Sequence, residues 1–129
     1  MYVTGDVITS PQYPANYPDD IDLTWVLWTD PDRKVSVTFS AFSTEAGVDI
    51  VRAGDGLVST NYTGMFFSWS GSVVPPALMS SGHEMWLNFK SDEGFTLSGW
   101  SFTATSVPST SKQLHNIFLR FSLFFSLIN

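Results

Sequence analysis

The stretch Lys34-Val35-Ser36-Val37-Thr38-Phe39 alternates polar and apolar residues, and Trp86-Leu87-Asn88-Phe89-Lys90 repeats that alternation. Because successive side chains of a strand point to opposite faces, this period of two predicts strands with one buried side and one solvent-facing side. Other short runs rich in β-branched and aromatic residues predict further strands at 6–9, 24–29, 48–53, 64–69 and 99–106. The sequence therefore predicts about seven or eight strands.

Turn-forming residues separate these predicted strands. Proline, glycine, asparagine and aspartate cluster at 10–14, 17–20, 30–32, 54–56 and 75–76, which is typical of turns and extended loops. Before residue 108 no long stretch has helical periodicity. Strands without intervening helices bury one face against a second sheet, so the pattern predicts an all-β, antiparallel sandwich or barrel.

The composition fits one globular domain and excludes several functions. The chain has 129 residues, of which 43% are hydrophobic and 16% aromatic, enough for a packed core. Twelve acidic residues against six basic ones give a net charge of −6, which argues against a surface that binds nucleic acid. Cysteine is absent, so disulfides, thiolate metal sites and cysteine nucleophiles are excluded.

The composition changes after residue 107. Residues 108–113 are linker-like, and residues 114–128 are largely apolar, with a spacing that predicts one amphipathic helix. We therefore expect a domain over 1–107 and a tail over 108–129 that is not part of it. The tail is too short and too interrupted to span a membrane, and any membrane contact is expected only through 114–128. An interaction helix, a lipid-anchor remnant and an extension without an evolved role remain alternatives.

Catalytic patterns are weak in this sequence. His83 falls in a predicted turn and His115 in the tail, which gives poor support to histidine-based catalysis, and the nucleophile elbow Gly-x-Ser-x-Gly does not occur. Paired carboxylates could serve a small hydrolase, but a sandwich of this size offers little depth for a sugar cleft. We expect the protein not to be an enzyme, with the hydrolase as the less favoured alternative.

Three acidic residues form the most informative cluster. Glu45 is expected to close one strand, Asp49 to open the next, and Asp92 to begin the loop after a third. Loops at one end of a sandwich can bring all three together, and carboxylates converging without a basic neighbour repel unless a cation lies between them. Calcium accepts six to eight such oxygens in flexible geometry. On spacing alone, three ordinary solvated loop acids remain the alternative.

Four segments in chain order resemble the CUB domain family. The opening Gly5–Pro18 is similar to the family pattern Gly-x-Ile-x-Ser-Pro-x-Tyr-Pro-x-x-Tyr-Pro, which precedes a tryptophan-containing strand, here with Trp25. Downstream, Val48 stands where the family has tyrosine in Tyr-Asp-x-Val-x-x-x-Asp-Gly. Phe42–Glu45 directly precedes this stretch and forms one segment with it, and the remaining matching segments are Phe89–Asp92 and Gly99–Phe102. The resemblance covers residues 5 to 106.

This resemblance implies a jelly-roll-like β-sandwich that is secreted or extracellular and binds other proteins. In a calcium-binding subset of the family, the positions of Glu45, Asp49 and Asp92 supply side-chain ligands, and that of Gly94 offers a backbone carbonyl. Tyr17 would lie behind the ligands, with its hydroxyl orienting the Glu45 carboxylate. The expected cofactor is therefore Ca²⁺, and the expected partner is an extracellular protein that presents a lysine or arginine to the acidic residues. The first residues resemble no signal peptide, so we expect an excised fragment or a missing leader.

The chain departs from the family in its cysteines. The resemblance places the family's second, third and fourth cysteines at or near Leu23, Ala46 and Phe67, which are all apolar here. Five tryptophans and eleven phenylalanines are available instead, although some of the phenylalanines belong to the tail. We expect packing of these rings to supply the stability that disulfides supply elsewhere.

A sequon and exposed aromatic residues leave a second binding function open. Asn61-Tyr62-Thr63 is an Asn-x-Thr sequon in a turn-rich stretch, so Asn61 is a predicted glycosylation site if the chain enters the secretory pathway. An ordinary turn is the alternative. Trp28 and Tyr62 are candidates for calcium-independent recognition of carbohydrate or another ligand.

Overall fold

The structure is a computed structural model that describes residues 1–109. It contains eight strands and one short 3₁₀ turn at Thr60–Tyr62. No helix of residues 1–109 is long and apolar enough to cross a membrane. The predicted tail helix lies outside the described residues. The strands are β1 (Asp6–Thr9), β2 (Asp22–Trp28), β3 (Arg33–Ser43), β4 (Ile50–Asp55), β5 (Met65–Trp69), β6 (Leu78–Met79), β7 (Glu84–Lys90) and β8 (Gly99–Pro108).

The strands form two four-stranded antiparallel sheets, which confirms the all-β sandwich. The first sheet has the order β1-β8-β3-β6 and the second β2-β7-β4-β5. The longest pairing joins β3 to β8, from Arg33 opposite Pro108 to Ser43 opposite Gly99. The chain passes repeatedly from one sheet to the other, as in a jelly roll, so neighbouring strands in a sheet are mostly distant in sequence.

Aromatic side chains fill the space between the sheets. Trp100 of β8 is fully buried and contacts Trp25, Phe39 and Phe89 edge-on, with ring centroids 5.1, 6.2 and 5.8 Å apart. Such pairs add about 0.5–1.5 kcal/mol each beyond the area they bury. The alternation predicted for β3 and β7 places Val35, Val37, Leu87 and Phe89 in this core. The core forms without cysteine, since none is present.

The residues at the positions of the family's cysteines do not form a buried apolar contact in place of a disulfide. Leu23 and Ala46 are exposed, whereas Phe67 is half-buried and lies against the core. Hydrogen bonds join the chain near Ala46 to the segment after β5: the Gly47 amide donates to Ser70 Oγ at 2.9 Å, and the Thr44 amide donates to the Gly71 carbonyl at 2.8 Å. Polar contacts therefore hold this loop in place.

Strand ends differ in detail from the sequence-based expectation. The two-residue β6 was not predicted because Leu78–Met79 is too short to show alternation, and it forms by pairing with β3. β4 begins at Ile50, two residues after the predicted start. β8 continues to Pro108, one residue past the expected end of the domain at 107.

A loop covers the outer face of the second sheet. Trp86 lies on the outward-facing side of β7 but is fully buried, because the Tyr62 ring stacks on it at 6.2 Å and its indole Nε1 donates to the Thr63 carbonyl at 2.9 Å. Gly54 lies opposite Trp86 in β4, where a Cβ atom would overlap the indole ring. The close fit fixes the loop over this part of the sheet.

Candidate metal centre

The three acidic residues meet at one end of the sandwich. Glu45 and Asp49 lie in the loop between β3 and β4, and Asp92 lies in the loop after β7. One carboxylate oxygen from each residue lies within 4.8 Å of those of the other two. Since β4 and β7 are paired in the second sheet, their neighbouring ends carry the two loops together.

A tight turn brings Glu45 next to Asp49. The Glu45 carbonyl accepts hydrogen bonds from the amides of Val48 at 3.2 Å and Asp49 at 3.0 Å, and Gly47 supplies the positive φ of 75° that the turn requires. The expectation that Glu45 closes a strand and Asp49 opens the next is therefore wrong. Both residues belong to the loop, because β3 ends at Ser43, β4 begins at Ile50, and the Asp49 amide bonds to the Glu45 carbonyl instead of to a neighbouring strand.

Asp49 is fully buried and held from two sides. The Tyr17 hydroxyl donates to Asp49 Oδ2 at 2.6 Å, and the Asp92 amide donates to Asp49 Oδ1 at 3.1 Å. Burial and the hydrogen bond to Asp49 raise the pKa of Tyr17, so its hydroxyl stays protonated as a donor. The expected contact of Tyr17 with the Glu45 carboxylate is wrong: the hydroxyl accepts from the Glu45 amide at 3.1 Å.

The Glu45 carboxyl lacks such partners. Its Oε2 is buried and has no hydrogen-bond partner among residues 1–109. Burial, followed by the negative charges of Asp92 and Asp49, raises the pKa of Glu45. No lysine or arginine within the described part of the chain forms an ion pair with any of the three acids. The cluster therefore concentrates negative charge that no lysine or arginine of residues 1–109 offsets.

Gly94 leaves space beside two of the carboxylates. A Cβ atom at this position would lie 3.1 Å from Asp92 Oδ1 and 3.5 Å from Glu45 Oε2. Any larger residue would crowd the oxygen atoms that face each other across the cluster. The absence of a side chain leaves this space open. The role of the Gly94 carbonyl as a ligand stays a prediction.

The arrangement suits a hard cation. Three carboxylates supply oxygen atoms from a buried, a half-buried and an exposed residue, so the cluster is fixed on one side and open on the other. Calcium prefers such oxygen ligands and tolerates irregular geometry, whereas Mg²⁺ demands a tighter octahedron. Burial is the main cause of the raised pKa of Glu45, and a bound Ca²⁺ would offset the second cause, the repulsion from Asp92 and Asp49.

The predicted glycosylation site lies beside a polar cleft that is separate from the acidic cluster. Asn61 is exposed and lies in the 3₁₀ turn with a φ of 54°. This turn borders an open polar cleft of about 460 Å³ on the outer face of the second sheet. Tyr62 and Trp28, the two aromatic candidates, are 36% and 40% exposed, but only Tyr62 lines this cleft. The cleft residues are Asp22, Thr24, Ser59, Thr60, Asn61, Tyr62 and Asn88.

Sequence reasoning missed Asn88 in this cleft. The alternation of β7 places Asn88 on the solvent side, yet it is 3% exposed, and its Nδ2 donates to Asp22 Oδ1 at 2.9 Å and to Thr24 Oγ1 at 3.0 Å. Its Oδ1 is buried without a partner among the described residues. A tryptophan two residues earlier on the same face was the available signal that a loop covers this side of the sheet.

Proteins of known sequence resemble this chain over about three quarters or more of its length. Identity is 34% over 110 residues with the zinc metalloproteinase nas-39 of Caenorhabditis elegans, covering 80% of this chain and 11% of that protein. It is 31% over 101 residues with cubilin of Rattus norvegicus, covering 74% and 3%. Tolloid-like protein 1 of Mus musculus is also 31% identical, covering 80% and 10%. The chain thus spans about a tenth or less of these relatives.

Solved structures share the fold. The extracellular region of zebrafish Gpr126/Adgrg6 matches with a TM-score of 0.74 and 24% identity, covering 84% of this chain and 14% of that one. The MASP-1 CUB2 domain bound to Ca²⁺ matches with a TM-score of 0.67 and 21% identity, covering 80% of this chain and 95% of that one. The family model of the CUB domain matches residues 3–103. The chain therefore belongs to the CUB domain family of noncatalytic protein-interaction modules, as its sequence motifs predicted.

Proposed function

We propose that this domain is an extracellular module that binds Ca²⁺ through Glu45, Asp49 and Asp92 and uses the ion to bind another protein. The observation that carries this proposal is the meeting of three carboxylates within 4.8 Å without a basic partner in the described chain. The unpartnered Glu45 Oε2 and the space left at Gly94 add independent support, because both are features that a bound ion would explain. The Ca²⁺-bound MASP-1 CUB2 domain, which shares the fold, supports the same ion.

Charge favours a basic side chain as the group that the partner presents. Three carboxylates and one Ca²⁺ carry a net charge of about −1, so the loaded site still attracts a lysine or arginine. Asp92 is the exposed member of the cluster and would offer its carboxylate to this group. Attraction of this kind weakens as salt concentration rises.

An extracellular location fits both the ion and the sequon. Modules outside the cell work with calcium dissociation constants of about 10⁻⁴ to 10⁻³ M, which suits a site with few charged ligands. The extracellular region of Gpr126/Adgrg6 contains a domain of the same fold. Asn61 is exposed, as an acceptor for N-glycosylation must be.

Calorimetric titration tests the calcium site. We expect the full chain to bind one Ca²⁺, Asp92→Asn to weaken binding at least tenfold, and Glu93→Gln to leave it unchanged. Glu93 is the matched control, because it is an adjacent exposed acid outside the cluster. Equal calcium affinity in the two variants would contradict the proposed ligand set.

The polar cleft favours a second candidate function, recognition of a neutral saccharide. Asp22 disfavours an anion, while the Arg52 guanidinium already lies 4.5 Å over the Tyr62 ring and disfavours a second cation there. Neighbouring hydroxyl and amide groups suit a ligand rich in hydroxyl groups, and the cleft volume is in the range of about 300–1,000 Å³ of small-molecule sites.

Saturation-transfer NMR with neutral mono- and oligosaccharides tests this second candidate on unglycosylated protein. Signals should be lost in Tyr62→Ala and retained in Tyr2→Ala, which removes another exposed tyrosine. Signals should persist in chelator, since the cleft contains no residue of the acidic cluster. Absence of transfer at millimolar sugar would contradict it.

A further inference from the structure

An exposed aromatic side chain adjoins the acidic cluster. Phe95 is 79% exposed, the largest value among the exposed large hydrophobic residues of the described chain. It directly follows Gly94, whose Cβ position lies 3.1 Å from Asp92 Oδ1. Single exposed apolar residues are common, so the surroundings of Phe95 decide whether it has a role.

The loop that carries Phe95 is held in place on both sides. Before it, the Asp92 carbonyl accepts from the Asp20 amide at 3.1 Å. After it, the Thr96 carbonyl accepts from Asn16 Nδ2 at 3.0 Å, and the Leu97 carbonyl accepts from the Tyr17 amide at 3.0 Å. The backbone therefore presents Phe95 to solvent from a fixed position. A pre-organised apolar group loses little freedom when a partner covers it.

A second apolar side chain lies on the other loop of the cluster. Val48 is 43% exposed and directly precedes Asp49. The two loops adjoin, because the Cβ position of Gly94 on one lies 3.5 Å from Glu45 Oε2 on the other. Phe95 and Val48 are the exposed apolar neighbours in sequence of Gly94 and Asp49, and together we call them the apolar rim. They place apolar contact area on both loops that carry the carboxylates.

We propose that the partner of this domain presents a lysine or arginine with a large apolar side chain within three residues of it, and that Phe95 and Val48 receive the apolar side chain. This inference rests on the proposed function, because the basic group is bound by the calcium-loaded acids. The negative charge of the calcium-loaded acids favours a basic residue, and the apolar rim favours an apolar side chain next to it. Aromatic residues are enriched among those that contribute most to binding at interfaces.

A peptide array tests the proposal with the full chain in calcium. Each peptide has one central lysine in a glycine-serine background. One position within three residues of the lysine is varied among serine, leucine and phenylalanine. We expect the best leucine or phenylalanine peptide to bind roughly 30-fold tighter than its serine counterpart. Phe95→Ser should abolish this difference and leave calcium affinity and melting temperature unchanged.

Val58→Ser provides the matched control. Val58 is 59% exposed and follows the end of β4 that is distant from Asp49. This variant should keep the preference for apolar peptides. If lysine peptides bind in calcium without that preference, or Phe95→Ser retains it, the apolar rim is overturned while the calcium function stands. If no peptide binds better in calcium than in chelator, the proposed function itself fails.

Discussion

The acidic cluster and the polar cleft differ in how their carboxylates are hydrogen-bonded. In the cleft, Asp22 Oδ1 receives a hydrogen bond from Asn88 Nδ2, which also donates to the Leu23 carbonyl at 3.2 Å. In the cluster, Glu45 Oε2 is buried with no donor among the described residues, and its neighbours are two further acids.

This difference in hydrogen bonding indicates which kind of ligand each site suits. A carboxylate that the protein itself satisfies gains little from a cation, whereas carboxylates that repel each other are stabilised by one. The cleft is thus suited to neutral polar ligands and the cluster to a metal ion. Changes that act on one site should leave the other intact.

The largest expected effect is that of calcium on stability. Calcium at 100 times its dissociation constant should add about 2.7 kcal/mol to the free energy of unfolding. Thermal melts in calcium and in chelator measure this change, and Mg²⁺ at the same concentration should have much less effect. An unchanged melting temperature would argue that the carboxylates hold no ion. Tyr62→Ala should retain the full calcium effect.

Gly54→Ala should disturb the cleft alone. The new Cβ overlaps the Trp86 ring and must displace the covering loop, at a cost of about 1–3 kcal/mol by denaturant unfolding. Gly82→Ala is the control, since nothing lies within 4 Å of a Cβ atom there. Calcium affinity should not change in either variant, and a loss of it in Gly54→Ala would show that the two sites are coupled.

Tyr17→Phe should destabilise the cluster. Removing the hydroxyl deprives Asp49 Oδ2 and the Glu45 amide of their partner, and a buried donor or acceptor left unsatisfied costs about 1–3 kcal/mol. Denaturant unfolding in chelator measures the loss. Tyr13→Phe is the comparison, because its hydroxyl makes no hydrogen bond within residues 1–109. Equal effects of the two variants would argue that Tyr17 does not support Asp49.

The pH dependence of the calcium-free protein gives a smaller effect. Because the pKa of Glu45 is raised on folding, the folded state binds this proton more tightly than the unfolded state does. Glu45 therefore adds stability as pH falls from neutral through its raised pKa towards the unfolded value of about 4.3. Unfolding in chelator should show this gain in the native protein and lose it in Glu45→Gln. If the gain in stability at lower pH persists in Glu45→Gln, it arises from titratable groups other than Glu45.

Deleting residues 110–129 should have the smallest effect of all. The pairing of β3 with β8 ends at Pro108, and the family match ends at residue 103. The melting temperature and calcium affinity of the shortened chain should equal those of the full chain, while its solubility rises because an apolar segment is removed. A large drop in stability would place part of the tail in the folded domain.

Sequence alone predicted most of the fold because its strands have a clear period. Val35, Val37, Leu87 and Phe89 alternate with polar residues, and the structure buries all four. The two-residue β6 was missed, since Leu78–Met79 becomes a strand only through its pairing with β3. Burial of Asn88 and Trp86 was also missed, because it depends on a loop that crosses the sheet from elsewhere in the chain.

The acidic residues themselves were found from spacing and family resemblance, but their contacts were not. Glu45 and Asp49 are four positions apart, and the pattern does not reveal which of them Tyr17 contacts. That choice depends on the turn at Gly47, which directs the Asp49 carboxylate towards the interior. Hydrogen-bond partners of this kind depend on three-dimensional packing, which a residue pattern does not contain.

The distance along the chain between the metal-binding loops has a kinetic consequence. Asp49 and Asp92, joined by a hydrogen bond, are 43 residues apart in sequence. Their carboxylates meet only where β4 and β7 pair, so a chain without this pairing has no complete site for the ion. Because the two strands are distant in sequence, we expect them to pair late in folding. An interaction that forms after the folding transition state slows unfolding and leaves the folding rate unchanged. Calcium would then lengthen the lifetime of the folded state by slowing unfolding, while the folding rate would be the same with and without calcium.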